Sequence, residues 1–300
     1  MQLFYQDGEE FSLINSQFIK KFILRSDLVP IPVTIEADIR VQPDSQGYFD
    51  EGKLLQTANG DEFSIIKSKL ISSGKVQGDN VAQYVSIIAV LSSMREACFL
   101  KKQPIRKYKT TLSDIYRSIG CKFSSIEGDF AVPVYNCLVG EPPSFQIAQI
   151  LQENAGVMSW RDGKLKFVRV EDIFKQEPLE GIPIIAGEGL ESGFLERHAV
   201  PTFVSTDQNG EFIVNENPKA RTVRYVPNKN KATLRNMGIC LVLKQISRIA
   251  YNGNIIAGDL VKVSESEKLA VITVAHVYSA GIDGDPPRQY TKLWLGELHK

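Results

Sequence analysis

The nine residues Val33–Val41, VTIEADIRV, alternate without a break between apolar and polar side chains. A helix, turning by about 100° per residue, would scatter these positions around its axis, whereas an extended strand puts Val33, Ile35, Ala37, Ile39 and Val41 on one face. The segment therefore predicts a strand buried on one side and wet on the other. Leu54–Thr57, Glu62–Ile71 and Tyr84–Leu91 read as further strands, separated by the turn-forming stretches Ala58-Asn59-Gly60-Asp61 and Ser72-Ser73-Gly74. Strands that succeed one another with no helix between them imply a small antiparallel barrel or sandwich over residues 1–105.

Residues 106–175 change character. Thr111-Leu112-Ser113-Asp114 offers a helix cap, and Leu112, Ile115, Tyr116 and Ile119 follow at helical spacing until Gly120 stops the turn. A second helix is predicted after Pro142-Pro143, capped by Ser144, with Ile147, Ala148, Ile150 and Leu151 inward and an end at Gly156. Val157–Trp160 and Leu165–Val170 then flank Arg161-Asp162-Gly163-Lys164, where Asp-Gly suits the positive φ of a tight hairpin.

Residues 176–300 begin with a Pro/Gly/Glu-rich stretch, Gln176 to Gly193, that reads as a linker or exposed loop. Ile239, Val242, Leu243, Ile246 and Ala250 recur at helical spacing, so Lys231–Ala250 is predicted as a helix ending before Gly253, although Gly238 and the β-rich composition weaken that pattern. Leu260–Val263, Leu269–Tyr278 and Tyr290–Leu295 are predicted strands, with turns at Gly258-Asp259 and Gly281–Pro287. The expected fold class is mixed β-rich α+β: two small antiparallel β-barrel-like domains with an α/β insertion between them.

Composition removes several functions. Lys plus Arg equals Asp plus Glu at 35 each, so no overall field draws the chain to nucleic acid or an anionic membrane. Cys98, Cys121, Cys137 and Cys240 form no CxxC pair and read as reduced, mostly buried thiols. The N-terminus, MQLFYQDGEEFSLINSQFIKK, lacks the basic start and apolar run of an export signal, and the longest apolar stretches are far short of a membrane span. No HExxH, GxSxG or Walker-type motif occurs, and the three histidines are His198, His276 and His299.

The remaining candidates have structural explanations. Gly187-Glu188-Gly189 with Gly193 carries its third glycine one place late for a dinucleotide loop. Asp283-Gly284-Asp285 opens like a calcium loop but runs into Pro286-Pro287 with no closing glutamate. His276 reads as a partly exposed or hydrogen-bonded strand residue, Trp160 and Trp294 as packing residues, and Glu9-Glu10 as solvated carboxylates pointing to opposite faces. The basic run Lys101-Lys102-Gln103-Pro104-Ile105-Arg106-Lys107-Tyr108-Lys109 reads as a solvated or protein-facing connector. No catalytic, cofactor-binding or metal-binding residue is assigned, and no cofactor is expected.

Three local patterns, in this order, resemble the baseplate hub family of contractile tails, also called late control D or tail-hub proteins, to which the base of the type VI secretion spike is related. Arg106–Ile115 is similar to that family's basic strand followed by a short helix opening on Thr-Leu. Phe145–Leu165 is similar to its helix, glycine and hairpin. Ala257–Val263, Val271–Tyr278 and Tyr290–Gly296 look like its Gly-Asp turn, histidine-bearing strand and closing strand.

The resemblance implies a non-enzymatic structural subunit of a phage tail, resident in the virion baseplate after assembly in the host cytoplasm. It implies a homotrimer whose two β-rich units per subunit alternate around the axis, giving a quasi-six-fold ring between a hexameric tail tube and a trimeric spike. The chain reaches Lys300 without a spike region, so the spike is expected to be a separate polypeptide. Tail tube, spike and other baseplate components are the expected partners, with neither nucleic-acid binding nor membrane insertion. Interface residues are not assignable from the sequence. Two other readings stay open: a carbohydrate- or receptor-binding β-module of the tail, which calls for aromatics clustered on one face, and a cell-wall-acting enzyme, which calls for a cleft holding a carboxylate of raised pKa.

Overall fold

The computed structural model describes residues 1–77, 80–184, 200–215, 217–218, 220, 222–281 and 286–300, with backbone alone at 43–44, 72–77 and 80–82. The first part of the chain is all strand: β1 (Leu3–Asp7), β2 (Glu10–Leu13), β3 (Ile19–Asp27), β4 (Val33–Val41), β5 (Leu54–Thr57), β6 (Glu62–Gln77) and β7 (Asn80–Leu91). β4 and β5 coincide with the predicted segments, and the five odd-numbered apolar residues of β4 are all buried. The predicted turn at Ser72-Ser73-Gly74 is instead an irregularity inside β6, whose pairing with β7 shifts register between Ser72 and Val76. A bulge absorbs small residues without ending the strand, because both neighbours keep their ladder bonds on either side.

The middle comprises β8 (Ile105–Thr111), α1 (Leu112–Ile119), β9 (Ile126–Glu127), β10 (Ala131–Cys137), α2 (Pro143–Glu153), β11 (Gly156–Arg161), β12 (Lys164–Arg169) and α3 (Val170–Ile173). The Thr111 hydroxyl accepts from the Asp114 amide at 3.2 Å, and Gly120 closes α1 at φ 104°. Asp162 and Gly163, at φ 52° and 71°, make the predicted hairpin turn. Helix α2 is capped differently from the expectation at Ser144: it starts at Pro143, after Pro142 at the cap position. Proline has no amide to leave unpaired there and its φ is already helical. The helix stops at Glu153, before the Gly156 that opens β11.

The last part holds β13 (Thr202–Thr206), β14 (Phe212–Asn215), β15 (Val223–Tyr225), α4 (Lys231–Gly238), β16 (Cys240–Ala250), β17 (Leu260–Lys262), β18 (Lys268–Ser279) and β19 (Arg288–His299). The helix predicted over Lys231–Ala250 is only α4; from Cys240 onward the chain is a strand with ten residue pairs to β19. Ile239 is already extended, and Ser247 and Ile249 are buried while Ile246, Arg248 and Ala250 are exposed, a period of two. The apolar set fitted both periods, and pairing with β19 decided between them.

The strands of the first and last parts lie in one sheet of order β16-β19-β18-β3-β4-β7-β6-β5-β1-β2, with β17 added on β18. The β-rich α+β class is as expected, and no barrel closes among the described residues. The seam between the two parts is the β3–β18 pair, seven antiparallel residue pairs from Asp27↔Thr273 to Lys21↔Ser279. The main core lies where the middle segment packs on this sheet: Ile35 and Ile87 share one buried cluster with Ile115 and Tyr116 of α1, Ile147 of α2 and Leu165 of β12. Tyr116 is fully buried, and its hydroxyl donates to the Pro30 carbonyl at 2.9 Å. That bond removes the cost of burying the phenol.

Candidate functional site

The residue types that could carry chemistry are placed in structural roles. His276 on β18 is buried between β19 and the loop after β16. Its Nδ1 lies 3.0 Å from the Thr291 hydroxyl and its Nε2 lies 3.1 Å from the Ile255 carbonyl, so both ring nitrogens are occupied. Burial lowers its pKa, opposed by the bond to Ile255. The histidine pins the loop to the sheet. His299 bonds the Gly238 carbonyl at 3.2 Å, tying the end of β19 to α4.

Trp160 donates its indole N–H to Asp61 at 3.1 Å, which fastens the β11–β12 hairpin to the β5–β6 turn. Trp294 lies under the Lys292 ammonium, 4.8 Å from the ring centre. All four cysteines are free: Cys121 and Cys137 are buried, Cys98 and Cys240 half-buried. Burial pushes the Cys98 thiol up to about 11 and the Cys121 thiol up to about 12, the opposite of an activated nucleophile.

The basic run 101–109 is divided by the fold. Lys101 turns inward to Glu96 at 3.2 Å and the Ile119 carbonyl at 2.9 Å, whereas Arg106 lies over Tyr108 on β8, which pairs with β10. Glu9 and Glu10 are exposed at the β1–β2 turn. No group of three metal-ligating side chains occurs among the described residues, and no described helix is long and apolar enough to cross a membrane. The glycine-rich stretch 187–193, His198 and the 283–285 turn lie outside the described residues.

A cleft of about 470 Å³ lies between the β11–β12 hairpin and the turn at Gly258, with Leu28, Ile173 and Ala257 in its wall. Three of its charged side chains are paired: Arg161 with the buried Asp259, Lys166 with Glu127 at 2.8 Å and Asp172 with Lys175 at 2.6 Å. Asp259 also accepts the Ile256 amide at 2.9 Å. The Gly258-Asp259 turn was legible in the sequence; its partner Arg161 was not, being 98 residues away.

The described surface also carries exposed apolar side chains. The sheet β14-β13-β15 packs Phe203 and Ile213 on Leu234 and Met237. Its other face shows Phe212, Val214, Val223 and Tyr225 to solvent, with Phe212 74% exposed. Along β8–β10, Tyr108 stands opposite Val134, both exposed, near the exposed Leu138 and Val139. Both ends of the large sheet, β2 and β16, have a single partner strand among the described residues. In proteins generally, apolar faces and open edges of this kind are where partner chains or ligands dock.

No protein family model and no curated protein matches the chain. Solved structures share its fold over nearly the whole length. The 43 kDa tail protein of prophage MuSo2 from Shewanella oneidensis aligns with a TM-score of 0.61 at 9% identity, covering 99% of this chain and 98% of that one. A tail protein from Neisseria meningitidis MC58 aligns at 0.60 and 12% identity, covering 99% and 96%. The Escherichia coli c3393 protein, a component of the type VI secretion system with structural similarity to the T4 tail proteins gp27 and gp5, aligns at 0.53 and 10% identity, covering 94% and 74%. The fold is thus one found in phage tail proteins and in a type VI secretion component.

Proposed function

We propose that the chain is a structural, non-enzymatic baseplate hub subunit of a contractile phage-type tail. Three copies form a ring in which the two β-rich units of each, residues 1–105 and 176–300, alternate around the axis, with residues 106–175 packed on the sheet that joins them. Such a ring adapts a hexameric tail tube to a trimeric central spike carried on a separate protein, within a baseplate assembled in the host cytoplasm. The carrying observation is the shared fold with the MuSo2 tail protein over 99% of this chain and 98% of that one. The type VI secretion component with the same fold supports the link to a spike. Unpaired sheet edges and uncovered apolar faces suit a permanent ring, whose contacts bury on the order of 2,000 Å² or more.

Light scattering behind size exclusion tests the reading. The expected mass is three times the 33.5 kDa of the chain, followed by a ring with a central channel on imaging. A monomer at every concentration, with the spike subunit present as well as without it, overturns it.

A further inference from the structure

We infer that the open sheet is continued by a second copy of the chain, the β2 edge of one subunit pairing with the β16 edge of the next. This rests on the ring reading and assigns its joint.

Among the described residues β2 pairs with β1 alone and β16 with β19 alone, so each presents one row of unpaired backbone groups. Eight strands lie between them in the sheet, and the two edges do not pair within the copy. Both carry exposed apolar side chains: Leu13 on β2, and Leu243 and Ile246 on β16.

Their charges are opposite. Residues 1–19 contain Asp7, Glu9 and Glu10 and no lysine or arginine, while β16 contains Lys244 and Arg248 and no carboxylate. Lys244 is already held by Glu267 at 2.8 Å and Glu297 at 3.2 Å. Among the described residues Arg248 has no carboxylate partner; it lies 3.7 Å over the Tyr290 ring and stands opposite Lys292 on β19. Arginine, tyrosine and tryptophan are the residue types that anchor protein interfaces, and here Tyr290, Trp294 and Arg248 share the surface beside the open edge.

Like edges would bring Glu9 and Glu10 against their own copies, or Arg248 against Arg248, so the charges select the unlike pairing. Unlike ends on one chain make a head-to-tail contact, which closes into a ring when the rotation between copies is a whole fraction of a turn.

The test uses the full chain in three variants: Glu9→Lys with Glu10→Lys, Arg248→Glu, and all three together. Thermal melts matched to wild type show that each variant is folded. The wild type is expected to be a trimer; each reversal alone weakens trimer formation about tenfold or more, and the combined variant returns to within about threefold of wild type. A wild-type trimer that neither reversal weakens overturns the joint and leaves the ring reading standing. Reversals that weaken the trimer without mutual rescue overturn the pairing of these two edges. A wild type that stays monomeric overturns the ring reading and the joint with it.

Discussion

His276 shows how a residue type that invites a catalytic reading is used by this fold. Burial holds its imidazole neutral, with a pKa below the ordinary 6.5, against the opposing pull of the bond to the Ile255 carbonyl. In the window below 6.5 the unfolded chain therefore binds a proton that the folded chain does not. Stability falls as pH drops through that window and stops falling once the folded imidazole titrates too. Asp27 and Asp61 have the opposite sign, since burial raises their pKa values and they hold protons more readily when folded. They are common to wild type and variant and cancel in a comparison. His276→Gln is expected to remain folded, to lose about 1–3 kcal/mol at neutral pH by disturbing the Thr291 and Ile255 contacts, and to flatten the decline in melting temperature on acidification. Melting curves from about pH 8 to about pH 5 check it; an unchanged slope removes the histidine from the pH response. The sequence located this side chain on a strand and allowed for a hydrogen-bonded role, but Thr291 and the Ile255 carbonyl become its partners only through the β18–β19 pairing and the loop after β16.

At the scale of elements, Gly296 has a role that local patterns do not reveal. It pairs with Leu243 of β16 on one side and Ala270 of β18 on the other, and both neighbouring strands shift register just beyond it. The extra residue of β18, Ile272, lays its side chain across the glycine: a Cβ there would meet Ile272 Cδ1 at 2.5 Å and the Val242 carbonyl oxygen at 2.9 Å. One of those neighbours is backbone and cannot swing aside. Gly296→Ala is expected to cost about 1–3 kcal/mol in urea unfolding, as overpacking does in a close-packed core. A change within a few tenths would show that the bulge relaxes freely. The same region explains the helix predicted over Lys231–Ala250. Its apolar residues satisfied a helical period as well as a β one, and a strand won because β19 supplies ten partners. Elements whose pattern allowed only one period, β4 and α1 above all, were legible to the residue.

Over the whole molecule, the β3–β18 seam makes residues separated by about 250 positions in the chain mutual partners. Hydrogen exchange is expected to show β3, β4 and β18 among the slowest amides, opening with a common free energy, because loss of either strand exposes the other's edge. Independent exchange of β3 and β18 would mean that the two halves open separately. The alternation of VTIEADIRV, the Thr111 cap, the Asp162-Gly163 turn and the balanced charge all act within a few residues or over composition alone. They determine strands, short helices and a chain of β-rich α+β class, and a short ordered set of motifs was enough to resemble a tail protein. Which strands pair, that the middle segment shares its core with the first sheet, where the bulges fall, and which two edges stay open depend on residues far apart in the chain. Backbone hydrogen bonds are alike at every position, so a strand's partner is selected only when side chains from distant segments pack together, and that choice belongs to the tertiary structure.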